Sequence, residues 1–338
     1  MLRPPIRSLV LIVCALVAPA GAAFAWGSTG HRIIGRLAVE ALPDSLPAFL
    51  RTAEAADAVG ELAREPDRWK DSGKAHDSDR DPAHFVDLGD DGKVFGGPVL
   101  SNLPETRAGY ETALRAVNSD SWKAGYLPYS IIEGWQQLVK DFTFWRIEAA
   151  AAEHVADPAH RAWFRRDLAE RQQLTLRDLG TLAHYVGDGS QPLHVTVHFN
   201  GWGPFPNPEE YTQEHIHGPF EGPFVHDHVD PAAVKADMTP YRDCACPIAT
   251  WTADYLAATN REVAPLYTLY KQGAFARVDP KAQSFVAGRL AAGASALRDL
   301  VVDAWRASAT GHAGWPAVTV ADVEAGKVDP YDSMYGVD

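Results

Sequence analysis

His184-Tyr185-Val186-Gly187-Asp188-Gly189-Ser190-Gln191-Pro192-Leu193-His194 closes a run of helical periodicity that begins near residue 159. On a helix His184 and Asp188 share one face, with Cβ atoms roughly 5–6 Å apart, close enough to hold one metal ion together. His194 lies ten residues past His184, about 80° to the other side on a continuing helix, so the spacing predicts that it serves a second metal. Pro192 withholds an N–H from the Asp188 carbonyl and predicts a kink there. A lone His-x-x-x-Asp pair is more often a buried polar face than a pair of ligands. Three metal-type ligands in one short run, with further His and carboxylate pairs elsewhere, turn the reading toward a metal centre.

Outward from this stretch the chain reads as mostly helical. Helical patterns occupy about 105–118, 129–154, 159–190, 250–270 and 281–308. Near the start, Ser28 or Thr29 can cap a helix whose apolar stripe is Ile33, Ile34, Leu37, Ala38, Ala41 and Leu42. Another helix spans about Pro47 to Ala63. Residues 66–103, rich in Asp, Gly and Pro, read as a long irregular segment, and 198–247 as loop-rich. The tail beyond Gly311 reads as polar surface chain. Strand signals are few, and neither a repeat nor a linker is visible. The expected class is all-α, one compact helical domain over 26–338. Trp122, Trp135, Trp145, Trp163, Trp251 and Trp305 sit at helical positions and read as core.

Arg3 and Arg7 precede an apolar run from Ser8 to Val17, and Ala23-Phe24-Ala25 is a small-x-small cleavage signal. Residues 1–25 therefore read as a secretory signal peptide, giving a periplasmic or secreted protein that begins at Trp26. The formal charge is -13, and loss of that segment removes two arginines and no acid, leaving -15. So acidic a chain has no general basic surface for duplex nucleic acid or anionic lipid, and a polyanionic substrate must be held by charge local to a site. Beyond the leader only Cys244 and Cys246 remain. Paired thiols, a local bridge and soft-metal contact are all open to them.

Four further pieces bear on chemistry. A free Trp26 amine and its own carbonyl can chelate a metal, and His31 follows five residues on, with Gly27 and Gly30 letting the backbone fold back. Asp67 and His84 can complete a four-ligand set with His184 and Asp188, Asp71 being the rival carboxylate. His217 and Glu221 form another i,i+4 pair that suits His194. His215, His226 and His228 read as outside the ligand set. The aromatic loop at Phe199, Trp202 and Phe205 is either a packed lid or a face for a membrane interface.

Trp26-Gly27-x-x-Gly30-His31, His84-Phe85-Val86-Asp87 and the His184 to His194 run together resemble the trinuclear-zinc single-strand nucleases, the S-one/P-one nuclease family. That family is related to the bacterial zinc-dependent phospholipases C. The matching motifs span Trp26 to Glu221, about two-thirds of the chain beyond the leader. The resemblance implies three Zn²⁺ ions in a cleft of an all-helical fold. Asp67, His84, His184 and Asp188 would hold one, and Trp26, His31 and a bridging Asp188 its neighbour. His194, His217 and Glu221 would hold the third. It favours Asp67 because these nucleases carry a basic residue three positions later, as Lys70 stands here, and it makes Asp67 and Lys70 the catalytic pair. Phe85 would stack a base, with Asp87 at the base edge. Glu221 departs from the nucleases, which have Asp there, and matches the phospholipases. Three Zn²⁺ against three carboxylates leave a positive pocket in an acidic protein, an anion trap confined to the cleft. The implied function is a single-strand-preferring endonuclease and 3′-nucleotidase acting on DNA and RNA by direct phosphodiester hydrolysis. The alternative is a phospholipase C acting on phospholipid headgroups. No protein partner is implied, and a monomer is expected.

Overall fold

Five Asp-Pro steps punctuate the sequence, and at three of them the aspartate caps an α-helix that opens at the proline. Asp157, Asp230 and Asp279 accept hydrogen bonds from the first free N–H groups of the helices that open at Pro158, Pro231 and Pro280. The carboxylate satisfies orphan donors while proline, which has no N–H to lose, presets the first helical φ. The computed structural model describes residues 26–336, so the expected leader and its cleavage point fall outside it.

The chain is all-α. α1 (Gly27–Glu40) leads through a 3-10 turn at Ala48–Leu50 to α2 (Ala53–Leu62). α3 (Glu65–Arg68), α4 (Lys74–Arg80) and a 3-10 turn at Asp81–His84 follow. Another such turn, Leu100–Asn102, precedes α5 (Arg107–Arg115) and α6 (Ser121–Ala124). The long helices α7 (Leu127–His154) and α8 (Pro158–Ser190) come next. A 3-10 turn at Pro192–His194 leads to α9 (His217–Pro219), a π turn at Phe220–Phe224, α10 (Val225–His228) and α11 (Pro231–Asp237). α12 (Ile248–Asn260), α13 (Val263–Lys271) and α14 (Pro280–Ser308) complete the body. The tail adds β1 (His312–Ala313), β2 (Val318–Thr319), α15 (Val320–Glu324) and α16 (Tyr331–Tyr335). Among the described residues, no helix is long and apolar enough to cross a membrane.

α1, α2, α7, α8 and α14 pack on one another around Ile34, Leu37, Val59, Leu182, Val186, Leu290 and Leu297, all buried. At ~25 cal/mol per Å² of apolar surface, each such side chain contributes about 1.5–3 kcal/mol, which is why the ligand-bearing ends of α1 and α8 are rigidly juxtaposed.

Several expectations from sequence are corrected. The helix expected over Pro47 to Ala63 is broken, because Thr52 adopts an extended conformation and accepts the N–H of Ala55 at 3.0 Å as the cap of α2. Residues 66–103 carry helices and 3-10 turns rather than continuous loop, and 198–247 hold α9, α10 and α11. The pattern over 250–270 is two helices, α12 and α13. The tail is not merely polar chain. Its Ala313, Val320 and Val323 join Ile147 and Phe164 in a second buried apolar cluster. Trp122 is 53% exposed rather than core. Of the states left open for Cys244 and Cys246, the structure has the local bridge between them.

The largest correction concerns α8. It does not run kinked through Pro192; it ends at Ser190. Gln191, which precedes proline and so disfavours the helical region, is extended at φ -88° and ψ 115°. Its side-chain oxygen then accepts the Leu193 N–H at 2.6 Å and starts the 3-10 turn that carries His194. His194 is thus redirected by a chain break and not by helical angle.

Candidate metal centre

Three groups of buried ligand-type side chains converge, each with its candidate atoms within 4.8 Å of one another: Asp67, His84 and His184; His31, His184 and Asp188; and His194, His217 and Glu221. Every side chain expected from sequence as a ligand lies in one of them.

α8 supplies the centre of the first two groups. His184 Nε2 lies 3.2 Å from Asp188 Oδ2 across one helical turn. His84, at the end of its 3-10 turn, brings Nδ1 to 2.8 Å from His184 Nε2 and 3.2 Å from Asp188 Oδ2. Asp67 of α3 places Oδ1 3.9 Å from His84 Nδ1 and 2.7 Å from Lys70 Nζ. On the other side, His31 of α1 stacks on His184 with ring centroids 4.0 Å apart, and its Nε2 stands 3.5 Å from Asp188 Oδ1. The two oxygens of Asp188 therefore face two different groups. Gly187 makes room for this, since a Cβ there would stand 3.1 Å from His31 Nδ1.

The third group is built from the 3-10 turn that carries His194, from α9, which opens on His217, and from the π turn that carries Glu221. His194 Nε2 and His217 Nε2 are 3.1 Å apart, and Glu221 Oε2 lies 3.6 Å and 2.9 Å from them. Gln191, buried, steadies Glu221 by donating from Nε2 to Oε2 at 3.1 Å. A bond between His194 Nδ1 and the His84 carbonyl at 2.7 Å, and another from Val86 N–H to the His194 carbonyl at 2.8 Å, tie this group to the first.

Do these residues fit a metal? Carbonyls fix three tautomers: His184 Nδ1 donates to Ala63 O at 2.8 Å, His194 Nδ1 to His84 O, and His217 Nδ1 to Phe199 O at 2.9 Å. With the proton on Nδ1, each neutral imidazole presents the lone pair of Nε2 to its group, the usual outer arrangement of a metal-ligating histidine. Facing pairs of ring nitrogens 2.8 and 3.1 Å apart then require a shared cation or proton between them. Both ring nitrogens of His31, Asp188 Oδ1 and Glu221 Oε1 are buried without a hydrogen-bond partner among the described residues. Such orphaned donors and acceptors are costly unless something else satisfies them. The donor set fits metal ions.

Electrostatics agree. Burial, with the charge of His184, lowers the His31 imidazole to about 3, and burial lowers that of His84 to about 4, so both are neutral lone-pair donors near pH 7. Burial also opposes ionisation of Asp188, yet the imidazoles of His184 and His194 hold it well below the ordinary carboxylate range. For His194 burial is outweighed by Asp188 and Glu221, which raise it to about 9. The carboxylates attract positive charge to this cluster, and in the absence of metal a proton takes that place.

A cleft of about 470 Å³ opens onto the groups, lined by Lys70, His84, Phe85, Asp87, His194 and His217 among others. Phe85 is half-buried rather than fully exposed, and it lines the cleft. Asp87 is 5% exposed, and burial pushes its carboxyl up to about 8, which makes it a donor as well as an acceptor near neutral pH. Trp26 is wholly buried, its indole donating to Ser190 Oγ at 2.8 Å and its carbonyl accepting the Gly30 N–H at 3.2 Å. Asp71 is exposed and left-handed at φ 64°, outside the three groups. His215 and His226 are exposed, and the partly buried His228 is likewise outside them. Of the aromatic loop, Trp202 is buried and stacks on His198, while Phe199 and Phe205 are exposed.

Sequence reasoning missed Gln191, Trp122 and Lys123. Gln191 touches Glu221 across thirty positions of sequence, a pairing with no local signal. Trp122 and Lys123 line the cleft, yet their spacing alone is that of an ordinary helix.

The chain has no significant match among known protein families or among curated proteins.

Proposed function

We propose that this protein is a zinc-dependent phosphodiester hydrolase, most suited to single-stranded nucleic acid and 3′-nucleotides. The observation that carries the reading is Asp188, buried in the core, with its two oxygens facing two ligand groups and a third group opening on the same cleft. Asp67, His84, His184 and Asp188 would hold one ion, and His31 with Asp188 and the Trp26 backbone its neighbour. His194, His217 and Glu221 would hold the third. Zinc bound there supplies Lewis acidity toward phosphoryl oxygens and makes water nucleophilic near neutral pH.

The remaining roles belong to the chain. Lys70 is held against Asp67 at 2.7 Å and lines the cleft, and its ammonium would stabilise charge that grows on a reacting phosphate. Phe85 gives a base one aromatic face, worth roughly 1–3 kcal/mol, and the Asp87 carboxyl can both donate to and accept from the base edge. No nucleophilic side chain is needed, and none is proposed.

Phospholipid headgroups are the second reading, favoured by Glu221 and the exposed Phe199 and Phe205. Burial of Trp202 removes the largest ring from that surface, which is why the nuclease reading is preferred. The test is an assay of the protein starting at Trp26, loaded with zinc, on single-stranded DNA, RNA, 3′-nucleotides and phosphatidylcholine. Hydrolysis of the first three is expected. Cleavage of phosphatidylcholine alone would transfer the site to the second reading, and inertness on all four with three zincs bound would end both.

A further inference from the structure

We infer that Trp122 and Lys123 form a second strand-binding subsite, which takes the nucleotide adjoining the one at Phe85. The inference rests on the nucleic-acid reading above and extends it from one nucleotide to a strand. Trp122 is 53% exposed, and both residues line the cleft that holds Phe85, His84 and His194. A large indole left half in water at the mouth of a site is a ready stacking face, because every base has a π-surface to set against it. Lys123 beside it brings an ammonium to the rim of a chain whose formal charge is -13. The chain's acidic balance opposes a phosphate backbone, and a positive charge at the rim of this cleft offsets that locally.

The placement is rigid. Asp120 caps α6 through the Lys123 N–H at 3.1 Å, and Glu111 accepts the Ser121 N–H at 2.9 Å. The Ala124 carbonyl accepts from Asp87 N–H at 2.9 Å, and Leu127 N–H donates to the Phe85 carbonyl at 3.0 Å. Between them Gly125, at φ 69°, lies so close that a Cβ would meet the Phe85 carbonyl oxygen at 2.0 Å. The backbones that carry Trp122 and Phe85 are thus held on one hydrogen-bonded frame.

The occupant is a single strand. A base on Trp122 must be unstacked from its neighbour, which a duplex does not permit, so the subsite would give strand selectivity a structural cause. A mononucleotide seated at Phe85 is too short to use it.

The experiment compares Trp122→Ala, Trp122→Phe and Lys123→Ala with the parent, all zinc-loaded, on a single-stranded oligonucleotide and on a 3′-mononucleotide. Trp122→Ala is expected to raise KM for the oligonucleotide about tenfold, within the range of base–aromatic stacking, with kcat and mononucleotide hydrolysis unchanged. Trp122→Phe should restore most of the affinity. Lys123→Ala should raise the oligonucleotide KM less and flatten its dependence on salt. An unaltered oligonucleotide KM in Trp122→Ala, or an equal loss on both substrates, would overturn the subsite while leaving the nuclease reading intact. A parent protein that cleaves neither substrate would instead remove the nuclease reading, and the subsite with it.

Discussion

The helix pair α7 and α8 buries two polar regions that respond to the same burial in opposite ways. At the C-terminal end of α8, burial strips protons from His31 and His84, giving neutral rings with lone pairs that converge on Asp188. Farther along the pair lies a seam of carboxylates. Asp141 and Glu148, both buried, lie 3.5 and 3.7 Å from Arg171. Burial, reinforced by Asp178, raises Asp141 to about 7, and burial with Asp167 raises Glu148 to about 8. Near pH 7 Glu148 mostly keeps its proton and Asp141 is about half protonated, with one guanidinium beside both. Desolvation disfavours whichever form is charged, so His31 and His84 become neutral ligands and Glu148 a neutral acid, whereas Asp188 stays ionised because the imidazoles of His184 and His194 outweigh its burial. Among the described residues, three-ligand groups occur in the first region and not in the seam. Burial of charge alone does not mark a functional site; convergent lone pairs do.

Breaking the first region should have the largest effect. Asp188→Ala removes a carboxylate from two groups at once, and is expected to cost more than one metal ion and roughly a thousandfold or more in rate. Elemental analysis finding three zincs retained would refute the shared carboxylate. His194→Ala comes next, since it touches a single group. It should lose one ion, keep the pair around Asp188, and fall in rate by about a hundredfold; loss of every ion would merge what the geometry separates.

The seam should answer to pH rather than to chelation. Glu148 is raised in the folded protein, so its contribution is present below the ordinary carboxylate pKa and is lost as pH rises through about 8. Glu148→Gln removes that dependence. Its stability relative to the parent should improve between pH 5 and 8, by on the order of 1–2 kcal/mol, with zinc content unchanged. Denaturant melts at several pH values check this, and a pH-independent difference would show that Glu148 keeps no proton. Smallest of all is Asp71→Asn, on an exposed left-handed residue that Asn tolerates. A change within ~0.5 kcal/mol and full zinc loading are expected, and metal loss would restore Asp71 as the rival of Asp67.

Much of this was legible in sequence because it is local. The periodicity of the long helices and the His184/Asp188 and His217/Glu221 pairs follow from residue spacing and backbone preference. Asp67 and Asp71 each have a lysine three positions on, Lys70 and Lys74, so the spacing by which the resemblance favours Asp67 does not by itself choose between them. Contact with His84 chooses Asp67. The angular argument for His194 reached the right grouping by the wrong route, since α8 ends before Pro192.

By itself, then, the sequence determined the helical class, the starts of the long helices and which side chains carry metal-type donors, since these depend on neighbours along the chain. Only tertiary structure decided that Asp188 faces two groups, that Gln191 steadies Glu221, and that Trp122 stands in the cleft rather than the core. Those facts depend on residues tens to more than a hundred positions apart meeting in space, fixed by packing of α1, α2, α7, α8 and α14 that no local pattern encodes.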